Sequence, residues 1–430
     1  MIRLPISRPC QFFRHLTLGS TLACLFIGLS ANADNLATST VEQEILDRSV
    51  MRIVHDIQSS DAMQTAQEAK DQINGLVIQI EKSPLLQKKS SLCMSLLRLN
   101  DEELALFDSE LDEIIESKAL NSCALQIRAR IENHWVAQIS GLPEPYGFFK
   151  PAGRSFPTFQ VVEKFYSADN PSEYSGSRAT EGFEDKQLML TFDDGPNDKA
   201  TPSILDILRD RGAKATFFSL GRNAHRYPKV LQRVGAEGHA IGSHSCFHPS
   251  LGTWIGKEKT FDECPTFYKQ KKKIWTIEDS FNEILNGHAY VFMNLGWIDP
   301  FFRFPHGDSN DEMKTYLKEN GIHSFRWNID SYDWQSTNIM GIVQNTLNKI
   351  KSQNDRGIVL FHDTLKQTTL ALPIILDQLA LEGYTLVLPV LDQPDLRFEN
   401  VPLIESHPQR INIEKRANAI RYKELLKRTR

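Results

Sequence analysis

The first ordered pattern along the chain is helical. Val41, Ile45, Leu46, Val50, Ile53, Val54 and Ile57 recur every three or four positions, as do Leu104, Phe107, Leu111, Ile114 and Ile115, and then Ile127, Ile131 and Trp135. Each set marks one apolar stripe, and helices of this kind bury their stripes against one another. The spacing predicts an all-helical N-terminal domain over residues 34–140, with Asp61 and Asn100 as N-caps and a break at Ser83-Pro84. The stripes are too interrupted for sustained heptads, and no polar cluster of catalytic spacing falls among them.

A second pattern begins at Lys186. Short apolar runs predict strands at Leu188–Phe192, Ala215–Leu220, Ala240–Gly242, around Phe301, through Trp327, at Ile358–Phe361 and at Thr385–Leu388. Helices are expected between them, from near Pro202, Tyr227, Ile277, Asp311, Ile342 and Leu372. Repeated β-α units imply an α/β domain over residues 187–390, a parallel sheet with helices outside it. Residues 141–186, rich in proline, glycine, serine and aromatics, have the composition of a linker. Tyr146, Phe148 and Phe149 would anchor that linker or stack on sugar rings. The lysine-rich stretch Gly252–Lys273 looks like an insertion forming the lip of a groove.

Composition narrows the class. At 430 residues, 41% hydrophobic and 24% charged, the chain has the make-up of a soluble protein of two domains. Arg3, Arg8 and Arg14, the apolar stretch Leu16–Leu29 and Ala31-Asn32-Ala33 form a signal peptide over residues 1–33, implying export to the periplasm or beyond. The apolar run is shorter than the roughly 20 residues a membrane span needs. Without the leader, Cys93, Cys123, Cys246 and Cys264 remain in a compartment that permits disulfides. Three pairings are open, and the one that respects domain limits joins Cys93 to Cys123 and Cys246 to Cys264; free thiols stay open as well.

The formal net charge of −5 becomes −8 once the three leader arginines are removed. No basic stripe accompanies the fold, so nucleic acid is not the expected partner. Positive charge collects in a C-terminal tail, residues 391–430. From His407 to Arg430 eight lysines and arginines face only Glu414 and Glu424. Ile413, Ala417, Ile420 and Leu425 point to a short helix within it, and such a tail is solvated, or it holds the protein electrostatically near an anionic envelope.

Candidate chemistry sits where the first strand of the α/β domain stops. In Lys186–Pro196, KQLMLTFDDGP, the apolar run ends in Asp193 and Asp194, followed by a glycine and a proline that close the ladder. The C-terminal edge of a strand is where α/β folds place their sites. Adjacent carboxylates repel unless a cation or a base partner stabilises them, which suggests one on a metal and one on a proton. In Gly242–Leu251, GSHSCFHPSL, His244 and His248 are four apart, so a single helical turn would stack both imidazoles on one face, a spacing used by zinc sites.

TFDDGP, HSCFH, Arg303-Phe304-Pro305-His306-Gly307, Asp330-Ser331-Tyr332-Asp333-Trp334 and Leu360-Phe361-His362-Asp363 stand in that order. Together they resemble the five motifs of the polysaccharide deacetylases, the nodulation-protein-B homology group or carbohydrate esterase family four, over about Gln187–Pro389. The resemblance implies a distorted (β/α)7 barrel and a hydrolase that removes acetyl groups from N-acetylated polysaccharide or oligosaccharide. It implies Zn2+ held by Asp194, His244 and His248, which would polarise the acetyl carbonyl and activate a water. Asp193 would be the base, oriented by a bidentate Arg303, and His362 the acid, its protonated form stabilised by Asp333. Pro305 and His306 would line the groove, the main chain at His306 donating to the oxyanion, although an aromatic residue is common at that position. Trp334 and Leu360 would receive the acetyl methyl group. An O-acetyl esterase on xylan-like polymers and a catalytically silent carbohydrate-binding barrel are the alternatives.

Overall fold

Strand β3 (Gln187–Asp193) sets the layering of the molecule. Because side chains alternate along a strand, Leu188, Leu190 and Phe192 face the helices while Met189 faces a second cluster between strands. Phe192 stacks between Phe217 and Phe361 of its two neighbouring strands, and burying each such ring contributes about 1.5–3 kcal/mol. A computed structural model describes residues 96–106, 108, 123–146, 155–265, 270–392 and 408–428, save Arg98, Pro145, Ala168 and Glu263. The expected leader, Asp61 and most of the N-terminal helices lie outside these residues.

The remaining strands are β1 (Val161–Tyr166), β2 (Glu173–Tyr174), β4 (Thr216–Ser219), β5 (Ala240–Ser243), β6 (Glu258–Asp262), β7 (Gln270–Ile274), β8 (Phe301–Phe302), β9 (His323–Phe325), β10 (Ile329–Asp330), β11 (Gly357–His362) and β12 (Thr385–Leu391). Parallel pairing runs β10-β11-β3-β4-β5-β8-β9-β2, and β12, with β1 on its far side, joins β3 at Gln187 and Leu188. Met189, Phe218, Ala240, Phe301, Phe325 and Ile358 face one another in the interior, where Val387 and Leu388 of β12 and Tyr166 of β1 pack against them. The α/β class is thus as the β-α periodicity requires. Among the described residues the ring is bridged between β9 and β10 by chain, not by a ladder.

Several local expectations are corrected. The strand through Trp327 is broken at Arg326–Asn328, because the chain changes partners there: Arg326 N–H bonds Tyr174 of β2, whereas Asn328 bonds Ile358 of β11. The stretch with linker composition supplies β1 and β2 to the sheet, and Tyr146 donates to Asp377 at 2.7 Å. Phe148 and Phe149 lie outside the described residues. The helix expected in the basic tail forms over Pro408–Arg428, but in place of a wholly solvated segment it docks on the helix Ile277–Leu295 through buried Ile413 and Ala417 and through Arg416 bonded to Asn282 and Asn286.

Of the N-terminal region, helices Asp101–Leu106 and Ala124–Ser140 are described. Asn100 caps the first through reciprocal 2.8 Å bonds with Glu103, a capping box. Ile127, Ile131 and Trp135 are buried in the same cluster as the helices of the α/β domain. The lysine-rich insertion is the antiparallel hairpin β6-β7, tied to the loop after β5 by a Cys246–Cys264 disulfide. Cys123 is disulfide-bonded too; its expected partner Cys93 lies outside the described residues.

Candidate active site

The candidate polar side chains lie at the C-terminal edge of the sheet, on strand ends and the loops that follow them. Asp193 ends β3, and the parallel register sets it opposite His362, the last residue of β11. Asp194 follows in left-handed backbone, φ 76°, held by Asn223, whose side-chain amide donates to its carbonyl at 2.7 Å. His244 follows β5, and Arg303 follows β8.

His244 and His248 do meet, though not on a helix. The residues between them form a loop with Ser245 and His248 both at φ 71°, so a turn of positive-φ backbone does what one helical turn was expected to do. That loop is braced from behind by the helix Ile277–Leu295. A Cβ added at Gly287 would come within 2.6 Å of the Ser245 backbone, so only glycine allows the helix so close. One turn earlier, Glu283 accepts from the N–H groups of Cys246 and Phe247, each at 3.1 Å. Burial pushes the Glu283 carboxyl up to about 8, even though the two amides favour its charged form.

The donor set fits a cation. His244 Nδ1 lies 2.8 Å from the Arg303 carbonyl, which can only accept, so the proton sits on Nδ1 and Nε2 presents its lone pair. His248 Nε2 is 3.1 Å from His244 Nε2 and 3.5 Å from Asp194 Oδ1, and the third edge, His244 to Asp194, is 3.7 Å. Tetrahedral bonds of 2.0–2.1 Å give edges of about 3.3 Å, so these three atoms match one face of such a site. Burial drives His248 well below its ordinary pKa, leaving a neutral imidazole suited to ligation.

Asp193 turns away from that triangle. Its Oδ1 accepts from Arg303 Nη1 at 2.8 Å, and the same nitrogen donates to Thr191 at 2.7 Å. Arg303 therefore grips Asp193 through one nitrogen, which corrects the bidentate expectation. The guanidinium is fully buried, 4.3 Å from the Phe218 ring centroid, with Nε bonded to the Phe325 carbonyl. Asp193 Oδ2 stays 3.6 Å from His244 Nε2, facing the cleft.

His362 and Asp333 form a closed unit. His362 Nδ1 is 2.8 Å from Asp333 Oδ1, its backbone N–H donates to Oδ2 at 2.8 Å, and Thr368 donates to Oδ2 at 2.6 Å. Burial works against charge on His362, but Asp333, then Asp194 and Asp193, outweigh it and raise the imidazole to about 9. Leu360, two residues back on the same strand, is buried, and Trp334 is partly exposed with its ring 6.2 Å from Tyr332. Pro305 is buried; His306, at φ 57°, sets its ring edge-on to His248 at 4.4 Å.

Some supporting residues escaped the sequence reading. Glu283 sits within the buried stripe Ser280, Ile284 and Gly287 of its helix, and a carboxylate on an apolar face was the available signal. Asp363 stands inside the fifth motif without an assigned role. It is fully buried, accepts from Thr201 at 2.7 Å, and is raised to about 7 by burial.

This arrangement defines a class. A family model described as polysaccharide deacetylase matches residues 180–325, and a peptidoglycan-N-acetylglucosamine deacetylase of Bacillus cereus is 33% identical over 210 residues, 47% of this chain and 86% of that one. The chain belongs to the polysaccharide deacetylase family. It is also 33% identical over 250 residues to the peptidoglycan-N-acetylglucosamine deacetylase PgdA of Listeria monocytogenes, covering 58% of this chain and 47% of that protein, so it spans about half the length of that relative. A solved peptidoglycan deacetylase of Bdellovibrio bacteriovorus superposes with a TM-score of 0.67 at 29% identity, over 81% of this chain and 96% of its own. Asp333 and His362 lie beyond the stretch matched by the family model.

Proposed function

We propose that the protein is an exported, metal-dependent hydrolase that removes N-acetyl groups from an N-acetylglucosamine-containing polysaccharide of the cell envelope, peptidoglycan foremost. The observation that carries this reading is the completeness of the polar set at one sheet edge: Asp194, His244 and His248 group their donor atoms together, Arg303 pairs with Asp193, and His362 pairs with Asp333. A silent carbohydrate-binding barrel has no need to maintain all of them.

Asp194, His244 and His248 would hold the metal, with Zn2+ the ion their nitrogen and oxygen donors suit best. When bound, it supplies Lewis acidity toward the acetyl carbonyl and toward water. Asp193 takes the proton from the attacking water at Oδ2, since Oδ1 is committed to Arg303. His362, its Nδ1 fixed by Asp333, presents Nε2 and hands its proton to the departing amine. An imidazole raised to about 9 is protonated at neutral pH, as that role needs. Leu360 and Trp334 exclude acyl groups larger than acetyl, and the main chain at His306 donates to the developing oxyanion.

The envelope reading draws on the relatives named as peptidoglycan deacetylases and on the leader-like residues 1–33. No helix among the described residues is long and apolar enough to cross a membrane. The docked C-terminal helix leaves Lys415 and Lys423 exposed, and these cations are suited to contact with anionic envelope polymers. The test is acetate and free-amine release from peptidoglycan, chitin oligomers and acetylated xylan, wild type beside Asp193→Asn. Release from peptidoglycan that Asp193→Asn abolishes supports the proposal. Release from chitin oligomers alone moves the substrate; release from xylan alone makes the protein an ester hydrolase.

A further inference from the structure

Arg326 leaves β9 at the same edge of the sheet as Asp193, Arg303 and His362, yet no motif includes it. Its guanidinium lies against Gly307, where an added Cβ would come within 2.4 Å of Nη2, and Gly307 is adjacent to His306, whose ring touches His248. The side chain is partly buried, and among the described residues it makes no hydrogen bond, ion pair or ring contact; only its backbone N–H is engaged, by Tyr174. Asp308, which follows Gly307, is directed to the amides of Gly252 and Thr253, and Asp330, four residues beyond Arg326, accepts from the Tyr332 N–H and from Trp327 Nε1. Arg303, by contrast, already donates to Asp193, Thr191 and the Phe325 carbonyl, and of its nitrogens only the buried Nη2 makes no hydrogen bond among the described residues.

A partly buried, uncommitted guanidinium beside a reaction centre matches a planar anion, because its fork offers paired donors to a carboxylate and it is only weakly hydrated. We propose that Arg326 is a specificity-determining residue that binds a carboxylate carried by the glycan, so that the preferred substrate is an acidic N-acetylated glycan rather than a neutral one. This rests on the deacetylase reading above and deepens it. The carboxylate could be a lactyl ether on the sugar, as in peptidoglycan, or a uronic acid.

The experiment measures Kd by calorimetry for N-acetylglucosaminyl-N-acetylmuramic acid, for its methyl ester, and for a glucuronate-containing N-acetylglucosamine disaccharide. Wild type, Arg326→Gln and Arg326→Lys are compared, and acetate release is followed in parallel. Wild type should bind the free acid about tenfold more tightly than the ester. Arg326→Gln should erase that ratio and Arg326→Lys restore part of it. Preference for the uronate over the lactyl acid keeps the carboxylate site and changes its source. An acid-to-ester ratio unchanged in Arg326→Gln, or equal loss of both ligands, overturns the assignment. Absence of acetate release from every ligand refutes the deacetylase reading alone, because the Kd ratio is read without turnover.

Discussion

On the side of the site proposed to hold a metal, Asp194 and His248 stand in left-handed backbone, and two imidazole nitrogens face each other at 3.1 Å. On the acid side, His362 ends an ordinary strand, and both oxygens of Asp333 are already bonded. The acid side is electrostatically closed as it stands. The metal side concentrates lone pairs and needs both a cation and external struts: Asn223 beneath Asp194, Glu283 behind the histidine loop, and the Cys246–Cys264 bridge. Strand register alone can pair two groups, but three donor side chains brought to one point from two loops must be held from outside.

The largest effects should come from separating the adjacent aspartates. Asp194→Asn is expected to lose metal, and Asp193→Asn to keep it while turnover falls by about 10²–10⁴-fold, the usual scale for a lost general base. Metal content by elemental analysis beside kcat decides this; equal zinc binding in both variants removes the division of roles.

Next comes Asp333→Asn, which should leave metal content unchanged and shift the alkaline limb of kcat down by more than one pH unit, since Asp333 is what holds His362 near 9. The sign for stability follows. A histidine whose folded pKa lies above its unfolded value, about 6.5, contributes stability that is complete below that pH and is lost as pH rises through about 9. The Tm gap between wild type and Asp333→Asn should therefore narrow over that window, and a constant gap would contradict the pairing.

Glu283→Ala tests the opposite side. Metal affinity should fall about tenfold, as when a group supporting a ligand is lost, while the alkaline limb set by His362 stays in place. Movement of both would mean that the two sides are not independent. The smallest effect is expected from reducing Cys246–Cys264, a bridge spanning 18 residues. Reduction should raise amide exchange in the β6-β7 hairpin before the sheet unfolds. Uniform loss of protection would count against a merely local role.

The chain's periodicities carried much of this. Alternation at Leu188–Phe192 and the helical stripe Ile127, Ile131, Trp135 are local properties, because period two and period 3.6 each select which side chains share a face before any partner is present. The motif residues were legible because the metal ligation, base and acid roles proposed for them would each demand particular side chains in order along the chain. What stayed hidden was how they are held. Nothing local announces that Ser245 and His248 adopt left-handed backbone, that Arg303 meets Asp193 through one nitrogen, or that β1 and β2 arise from residues with linker composition.

By itself the sequence determined the strand-helix alternation, the order of the chemistry-bearing residues and the identity of each donor, all consequences of side-chain type and short-range spacing. Only the tertiary structure decided that Glu283 would brace the histidine loop, that the helix of the basic tail would dock on Ile277–Leu295, and that the Arg326 guanidinium would lie against Gly307 with no hydrogen bond or ion pair among the described residues. Those contacts join residues far apart in the chain, and their energies depend on burial and on which groups remain unsatisfied once the sheet has formed.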